Sequence, residues 1–328
     1  MKKFLLAIIC CILCVSYGVN AKEYNLSETE MCGKDQLCDK DGKLLDGIVR
    51  SFWKNGQLQS ESLYKEGKRE GDSKAYYENG NLKSEGFYRK GEVEGTYKMY
   101  YENGSLMKEV PYKKGNTGAT GTVKEYYKDG NLRREMFVDN GEIRGIVKEY
   151  YKNHKLKEKG KYKDGTKIWL MWENKEGLWE KYDVNGVLGY EEYYKDGLLE
   201  WSKDYDEKGI LKSKHIYQYD SVEGERQISE YYYENGNLWF EANYKGIMPK
   251  AVRSGLLVVY DEQGNKSEEI MFKEDEPVYG YFYDRLGRRR DMTKAHLHNR
   301  TKTTKEDDKA IQESTRKTIQ RFQWNDIK

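Results

Sequence analysis

Side chains that carry catalytic or metal chemistry are few in this chain of 328 residues. Among the four histidines only His296 and His298 lie close together. A lone His-x-His pair lacks the further Cys or His ligands that complete a zinc site. The sequence contains no phosphate-binding loop and no nucleophile elbow. We therefore predict no catalytic residue, no bound metal and no cofactor, so that the protein is not an enzyme.

Two other patterns suggest chemistry but have a structural explanation. Gly115, Gly118 and Gly121 are spaced like a glycine-rich loop, yet they fall between two predicted hairpins, where a flexible turn accounts for them. Glutamates recur three places after a repeated Leu and should form a column across a sheet, with Lys83, Lys108, Arg134 or tyrosine hydroxyls between them. Such a column could bind calcium, but no Asp-rich loop supplies further oxygen ligands. These glutamates are Glu61, Glu85, Glu109, Glu135, Glu191, Glu241 and Glu269.

The first 21 residues have the pattern of a signal peptide, with Lys2 and Lys3 before an apolar run from Phe4 to Val15 and small residues up to Ala21. We expect cleavage near Ala21 and a mature chain that begins at Lys22. The apolar run is shorter than the roughly 20 residues that a spanning helix needs, and no later segment is comparably apolar. We therefore predict a secreted, periplasmic or surface protein without a transmembrane segment in the mature chain.

Cys32 and Cys38 are the two cysteines beyond that leader. In an oxidising compartment their spacing permits a small disulfide loop. A metal or redox pair is the alternative, but no His or second Cys pair lies nearby. We favour a Cys32–Cys38 disulfide that stabilises the N-terminal edge of the fold.

The strongest regularity is a tight turn that recurs with a period near 24 residues. Each turn is centred on Gly or a substitute and follows a run rich in Tyr, Val, Ile and Thr, which favour strands. Asn-Gly is typical of two-residue hairpin turns with positive φ at both positions. The ten turns are Asn55-Gly56, Asn79-Gly80, Asn103-Gly104, Asp129-Gly130, Asn153-His154, Asn185-Gly186, Lys208-Gly209, Asn235-Gly236, Gln263-Gly264 and Leu286-Gly287.

A second glycine signal, as at Gly67 and Gly91, turns the chain into the next hairpin. The pattern predicts an all-β fold, an elongated single-layer antiparallel β-meander of stacked hairpin repeats with a possible short C-terminal helix. The predicted segments are a signal peptide at 1–21, an N-terminal segment at 22–46, the repeat array at 47–287 and a basic tail at 288–328, partly disordered or helical.

The repeat resembles the MORN-like repeats, in particular the variant common in bacterial proteins. The signature Tyr-Tyr-x-Asn-Gly-x-Leu appears at Tyr76 to Leu82 and Tyr100 to Leu106, and with Asp for Asn at Tyr126 to Leu132. The resemblance runs from about Asp39 to Gly287. It implies a curved antiparallel meander and a protein that mediates association; bacterial relatives are often labelled antitoxin-like.

The repeat is least regular between Asn153 and Asn185, where the turn spacing grows to 32 residues. This insert is rich in tryptophan and forms either an exposed platform or a thicker core. Together with the first tyrosine of four repeats it supplies the candidate binding residues, which are Trp169, Trp172, Trp179, Trp201, Tyr76, Tyr100, Tyr126 and Tyr150.

Charge is distributed unevenly, since residues 285–328 carry a net charge of +7 and residues 22–284 carry −7. Arg288 to Arg290 is a short basic run without interleaved aromatic residues, so we expect no nucleic-acid partner. A narrow helical stripe in residues 304–322 predicts a helix that covers the last sheet edge, a docking helix ending at Trp324, or a partly disordered tail.

Together these features predict an exported binding or scaffolding module, with a host-cell or envelope protein as its partner. Carbohydrate binding by exposed aromatic rings and neutralisation of a toxin are the two alternatives.

Overall fold

A computed structural model describes residues 22–33, 35–114, 118–168, 174–221, 224–247 and 251–300. The chain divides into two compact units, which we call unit 1 (Met1–Gly141) and unit 2 (Glu142–Lys328). Among the described residues no helix is long and apolar enough to cross a membrane. The predicted leader, Gly115, and the predicted helix with Trp324 lie outside the described residues.

Unit 1 is built of strands that pair mainly with their neighbours in sequence. They are β1 Lys22–Asn25, β2 Thr29–Gly33, β3 Gln36–Asp39, β4 Gly47–Phe52, β5 Leu58–Lys65, β6 Lys68–Tyr76, β7 Leu82–Arg89, β8 Glu92–Tyr100, β9 Leu106–Tyr112, β10 Gly121–Tyr126 and β11 Leu132–Asp139. From β4 to β11 each consecutive pair is antiparallel. Strand β1 lies parallel to β4, and β2 and β3 form a separate hairpin. A 3-10 turn, Leu26–Glu28, joins β1 to β2.

Unit 2 repeats the same arrangement. Its strands are β12 Glu142–Tyr150, β13 Leu156–Tyr162, β14 Lys175–Tyr182, β15 Leu188–Lys195, β16 Leu198–Tyr205, β17 Leu211–Asp220, β18 Gly224–Tyr232, β19 Leu238–Lys245, β20 Val252–Tyr260, β21 Lys266–Lys273, β22 Glu276–Tyr283 and β23 Arg289–Asp291. Consecutive strands pair antiparallel throughout. A helix follows at 294–300. The predicted all-β meander of stacked hairpins is confirmed in each unit.

The two kinds of turn are assigned differently from the sequence prediction. At Asn79-Gly80 only Gly80 has a positive φ, of 85°, and Tyr77 N donates to Asn81 O at 2.8 Å. This is a three-residue loop whose last residue is left-handed, so the prediction of a two-residue turn there was wrong. The two-residue turns are the second kind, as at Lys90-Gly91, where φ is 51° and 88°.

The turn asparagine has a different role, which is to join neighbouring hairpins. Asn79 accepts a hydrogen bond from Asn81 N at 2.9 Å, and its side-chain amide donates to Glu102 O in the next hairpin at 3.1 Å. Asn153 makes the equivalent bond to Val184 O in unit 2, at 2.8 Å. Because one side chain both closes its own turn and satisfies a carbonyl of the next, Asn is better suited to this position than Asp.

Successive residues of a strand point to opposite sides of a sheet, and the two sides differ in each unit. One side, the core face, carries the buried clusters, which include Val49 and Tyr64 in unit 1 and Phe240, Leu257 and Ile270 in unit 2. The other side, the charged face, carries the recurring Glu and Lys residues. The helix at 294–300 packs Leu297 against the core-face cluster of unit 2.

Candidate binding surface

The charged face of unit 2 carries a line of side chains across nine strands, from β14 to β22, which is apolar at every position but one and which we call the apolar row. Cross-strand pairing places Leu178 beside Tyr193, Tyr193 beside Trp201, and so on as far as Asn243. The register shifts at Asn243, whose side-chain amide donates to Leu256 O at 2.8 Å, and pairing continues the row from Leu256. All members are apolar or aromatic except Asn243, and each is half-buried or exposed. The members are Leu178, Tyr193, Trp201, Ile216, Ile228, Asn243, Leu256, Met271 and Tyr279.

The described strands of unit 1 do not have an equivalent surface. On its charged face the corresponding positions begin with Ile48 beside Leu63, but Asp72 then lies beside Phe87 and Phe87 beside Glu94. Polar side chains therefore interrupt the line before it reaches three strands. Among the described strands, the same hairpin scaffold thus presents a long, mainly apolar row in unit 2 and a short one in unit 1.

A line of charged side chains, the charge ladder, runs beside these positions on the same face. In unit 1 its signs alternate strictly from strand to strand along Arg50, Glu61, Lys74, Glu85, Lys98, Glu109, Lys124 and Glu135. In unit 2 the ladder is Lys148, Lys159, Glu180, Glu191, Lys203, Lys214, Glu230 and Glu241, so that like charges share each hairpin.

The basic members of the ladder are not the ones expected from sequence. Lys108 and Arg134 instead contact Glu125, at 3.0 and 3.4 Å, and Lys83 lies over the Tyr77 ring. The residues in register with the glutamates are the lysines two places before each tyrosine pair, such as Lys74 and Lys98. The recurring Lys-x-Tyr spacing is the feature of the sequence from which these ladder lysines could have been predicted.

The paired tyrosines link the hairpins in opposite directions. The Tyr100 hydroxyl donates to Glu85 of the preceding hairpin at 2.7 Å, and Tyr126 donates to Glu109 at 2.7 Å. Burial, together with the hydrogen-bonded carboxylate, raises the pKa of each of these two phenols to about 12. The second tyrosine reaches forward, as Tyr101 donates to Tyr126 O at 2.8 Å.

The four candidate tyrosines are therefore part of the ladder structure. Tyr100 and Tyr126 have their hydroxyls engaged, and burial and the nearby Glu61 and Glu85 raise the pKa of Tyr76. Tyr150 ends β12 at the same position of its repeat. All four are half-buried, and none belongs to the apolar row.

The two candidate tryptophans that the structure describes, Trp179 and Trp201, lie on opposite faces of the sheet. Trp169 and Trp172 lie outside the described residues. Trp179 is 3% exposed on the core face, where it packs against Tyr162 with ring centroids 4.9 Å apart and donates to Lys161 O. Trp201 lies in the apolar row, its ring parallel to that of Tyr193 with centroids 5.6 Å apart. Of the two candidate tryptophans that the structure describes, Trp201 is the one that remains half-buried.

Sequence reasoning missed a buried polar network on the core face of unit 2. Ser213 Oγ lies 3.1 Å from Asp204 Oδ2 and 3.2 Å from His215 Nε2, and His215 Nδ1 lies 2.9 Å from Ser229 Oγ. Burial raises the pKa of Asp204 to about 6 and lowers the pKa of His215 to about 4. The residues come from β16, β17 and β18, so only strand pairing reveals the network.

This network resembles a Ser-His-Asp arrangement in composition, but it is not accessible to a substrate. Ser213 is 6% exposed and Ser229 0% exposed. A nucleophile must reach the reacting carbonyl, so we interpret the network as part of the core. Among the described residues no group of three or more His, Cys, Asp or Glu could hold a metal ion.

The two cysteines are joined in a disulfide, with Cα atoms 5.7 Å apart. It links β2 to β3, the two strands of the hairpin that lies beside the start of the repeats. Leu37 of this hairpin donates to Gly67 O at 2.8 Å, so the hairpin is hydrogen-bonded to the first repeat of unit 1.

The repeated hairpin, with its aromatic pair, glycine turn and charge ladder, is matched by a family model described as the MORN repeat variant. The matches fall at residues 45–66, 69–90, 93–114, 119–140, 144–164 and 228–245. This chain is a MORN-repeat protein. The matched segments correspond to individual hairpins of the two units, and the less regular hairpins between 164 and 228 are continuous with them in strand pairing.

Solved structures offer distant likenesses to this MORN-repeat protein. A protein of unknown function from Bacteroides fragilis NCTC 9343 shares 13% identity with a TM-score of 0.17, covering 32% of this chain and 87% of that one. The TcdB2-TccC3 structure shares 10% identity with a TM-score of 0.21, covering 78% of this chain and 16% of that one. At such TM-scores neither likeness identifies a function. No curated protein matches the chain.

Proposed function

We propose that this MORN-repeat protein is an exported binding or scaffolding module that contacts a protein partner, a host-cell or envelope protein, through the apolar row of unit 2. The observation that carries the proposal is the length of that row, which extends across nine strands from Leu178 to Tyr279 with one polar member, Asn243. A stacked-repeat protein binds through extended surfaces of this kind.

The chemistry of the row fits a protein interface. Its ends are exposed, with Leu178 at 42% and Tyr279 at 45%, and its second and third members are the parallel ring pair of Tyr193 and Trp201. Tyrosine and tryptophan are enriched at the energetic centres of interfaces, while a polar rim excludes water around them. The charge ladder supplies such a rim along one side of the row.

Export is supported by the leader-like pattern of residues 1–21 and by the Cys32–Cys38 disulfide. Disulfides persist mainly in oxidising compartments. The measurement is the intact mass and location of the native protein in fractionated cells and medium. A species that begins at Lys22 outside the cytoplasm is expected, and an unprocessed cytoplasmic species with reduced cysteines contradicts export.

Site-specific photo-crosslinking in the native cells tests the binding surface. A benzoylphenylalanine side chain at position 201 is expected to give a discrete covalent adduct with one protein. The matched control is the same side chain at Phe87, the aromatic residue at the corresponding row position of unit 1. Equal adducts from both positions, or none from position 201, contradict the assignment to the apolar row.

Carbohydrate binding through Tyr193 and Trp201 is the second candidate, favoured by the parallel rings. It predicts that soluble glycans change the tryptophan fluorescence and that the change is lost in Trp201→Ala. The antitoxin-like alternative predicts a co-purifying toxin in the same compartment, which the mass of the crosslinked adduct identifies.

A further inference from the structure

The last strand of unit 2 leaves one sheet edge open. Strand β23 pairs with β22 through Tyr281–Asp291, Phe282–Arg290 and Tyr283–Arg289. Among the described residues β22 is the strand in register with β23, and β22 is also the strand with which β23 makes most of its contacts. An antiparallel pairing uses only alternate backbone groups of a strand, so the remaining N–H and C=O groups of β23 point away from the sheet. An open edge of this kind can accept another strand.

This edge is strongly basic. Residues 284–294 hold five basic and two acidic side chains, a net charge of +3, and all three residues of β23 are exposed. Arg288 pairs with Asp284 at 2.8 Å, and the Arg289 guanidinium lies 4.5 Å from the centre of the Tyr281 ring. Strand pairing thus places tyrosines beside arginines that have no aromatic neighbours in the sequence.

An apolar side chain stands at the tip of the same hairpin. Leu286 is 77% exposed, the largest value among the exposed large hydrophobic residues of the described chain. It lies between Arg285 and Arg288 in the turn that joins β22 to β23. The edge therefore combines main-chain donors and acceptors, guanidinium groups and an apolar contact.

Protection against aggregation alone does not account for this composition. Charged residues on an edge strand discourage pairing whatever their sign, and β1 shows a balanced version in unit 1. There Glu23 pairs with Arg50 at 2.6 Å, and Lys22 lies over the Tyr24 ring. At β23 the two consecutive arginines outnumber Asp291, so the net charge is positive and is carried by Arg, whose planar fork matches a carboxylate.

We propose that β23 accepts an extended acidic segment of a partner protein as an added strand. Main-chain pairing supplies affinity in this mode of recognition, and side chains supply specificity. Because Arg289 and Arg290 are consecutive, they point to opposite faces. The segment that fits is therefore acidic on both faces, as in a run of consecutive Asp and Glu residues, with one apolar residue near Leu286. This surface is distinct from the apolar row.

The test uses the full mature chain and a fluorescent decapeptide of Asp and Glu with one Leu, followed by fluorescence anisotropy. The same peptide with alternate N-methylated amides keeps its charge but cannot pair as a strand. We expect salt-dependent binding of the first peptide and at least tenfold weaker binding of the second. Equal binding of both peptides overturns strand addition, and binding of neither overturns the site.

Protein variants locate the site. Arg289→Glu/Arg290→Glu is expected to weaken binding at least tenfold. Lys40→Glu/Lys54→Glu makes the same change in net charge at exposed positions of unit 1 and should stay within twofold of the parent chain. Circular dichroism melting checks that both variants fold. If the control variant loses binding equally, the peptide senses only net charge and the site is wrong.

Two other anionic partners are measured alongside. Vesicles with anionic phospholipid and a single-stranded oligonucleotide are attracted by arginines too, but neither supplies a strand. Tighter binding of either one than of the peptide, abolished by Arg289→Glu/Arg290→Glu, overturns the proposal in favour of that partner.

Discussion

The two units are built from one hairpin, but they use it differently. In unit 1 each hairpin carries one positive and one negative ladder residue, as in Lys74 and Glu85, so any hairpin can follow any other with opposite charges in contact. In unit 2 each hairpin carries two like charges, as in Glu180 and Glu191. Like charges directly opposite are unfavourable, so unit 2 contains repulsions that unit 1 avoids.

The repulsions within each hairpin of unit 2 are offset by contacts between hairpins. Lys159 reaches Glu180 at 2.7 Å, Lys203 reaches Glu191 at 3.3 Å and Lys214 reaches Glu230 at 3.5 Å. A positive hairpin can therefore stack only on a negative one. The ladder charges therefore favour alternation of positive and negative hairpins in unit 2, whereas in unit 1 they do not distinguish one hairpin from another.

The largest expected difference between the units concerns two glycines beneath aromatic rings. A Cβ atom at Gly160 would lie 2.1 Å from Trp179, and one at Gly86 would lie 2.5 Å from Tyr97. Trp179 is buried, whereas Tyr97 is half-buried and can swing outward. Overpacking costs about 1–3 kcal/mol, so we expect Gly160→Ala to lower the free energy of unfolding by about 3 kcal/mol and Gly86→Ala by about 1 kcal/mol. Urea denaturation measures both, and equal losses contradict the comparison.

The next difference between the units is in the pH dependence of the free energy of unfolding, to which we expect the core face of unit 2 but not that of unit 1 to contribute. Asp204 has a pKa of about 6 when folded, above the ordinary value. Burial of its charged carboxylate therefore destabilises the fold at neutral pH, and acidification towards pH 4 removes this destabilisation by protonating the carboxylate. His215 has a pKa of about 4, below the ordinary value, so acidification from pH 6.5 to pH 4 destabilises the fold. The two effects oppose each other in the parent chain.

Asp204→Asn removes one of these opposing effects. At 1.36 kcal/mol per pKa unit, the remaining His215 is expected to lower the free energy of unfolding by up to about 3 kcal/mol between pH 6.5 and pH 4. His215→Gln should show the opposite slope. The control is the Ser62–Ser73 pair of unit 1, 2.6 Å apart, where Ser62→Ala should leave the pH profile unchanged. Parallel profiles for all variants contradict the assignment.

A smaller effect is expected from converting part of the unit 2 ladder to the unit 1 pattern. Lys159→Glu with Glu180→Lys gives alternating signs from Lys148 to Lys203 while keeping opposite charges at the contact between hairpins. Each single change breaks the Lys159–Glu180 pair and should cost about 0.5–1 kcal/mol, whereas the double change should be at least as stable as the parent. Additive losses in this double-mutant cycle, measured at low salt, contradict the account of the ladder.

The smallest effect concerns one turn. His154 occupies the left-handed position at φ 67°, where the equivalent Gly80 has φ 85°. A left-handed conformation costs a non-glycine residue about 1 kcal/mol. His154→Gly is therefore expected to raise the free energy of unfolding by about 1 kcal/mol, and Gly80→His to lower it by a similar amount. A thermal melt that shows no gain for His154→Gly indicates that the imidazole has a compensating contact.

Much of the fold follows from local sequence. The recurring glycines, the tyrosine pairs and the scarcity of proline predict hairpins, because these features act within a few residues of one another. The turn geometry was predicted less well, since Asn-Gly suits both two-residue and three-residue loops. Only the hydrogen bond from Asn79 to Glu102 in the next hairpin shows why the longer loop holds Asn.

The candidate site was predicted poorly because it depends on register. Tyr193 and Trp201 become neighbours only through pairing of β15 with β16. Trp179 lies instead on the core face, where Gly160 leaves room for its ring. The tyrosines of the repeat signature were prominent in the sequence for a structural reason, which is their bonds to the ladder carboxylates.

The sequence by itself determined the repeating hairpin, the MORN-repeat family and the alternation of strand residues, because these depend on backbone preferences that each segment carries locally. Tertiary structure decided which side chains share a face, which charges meet and where the apolar row lies. Those properties arise from pairing between strands, and a shift of register by one residue would move each side chain to the opposite face of the sheet.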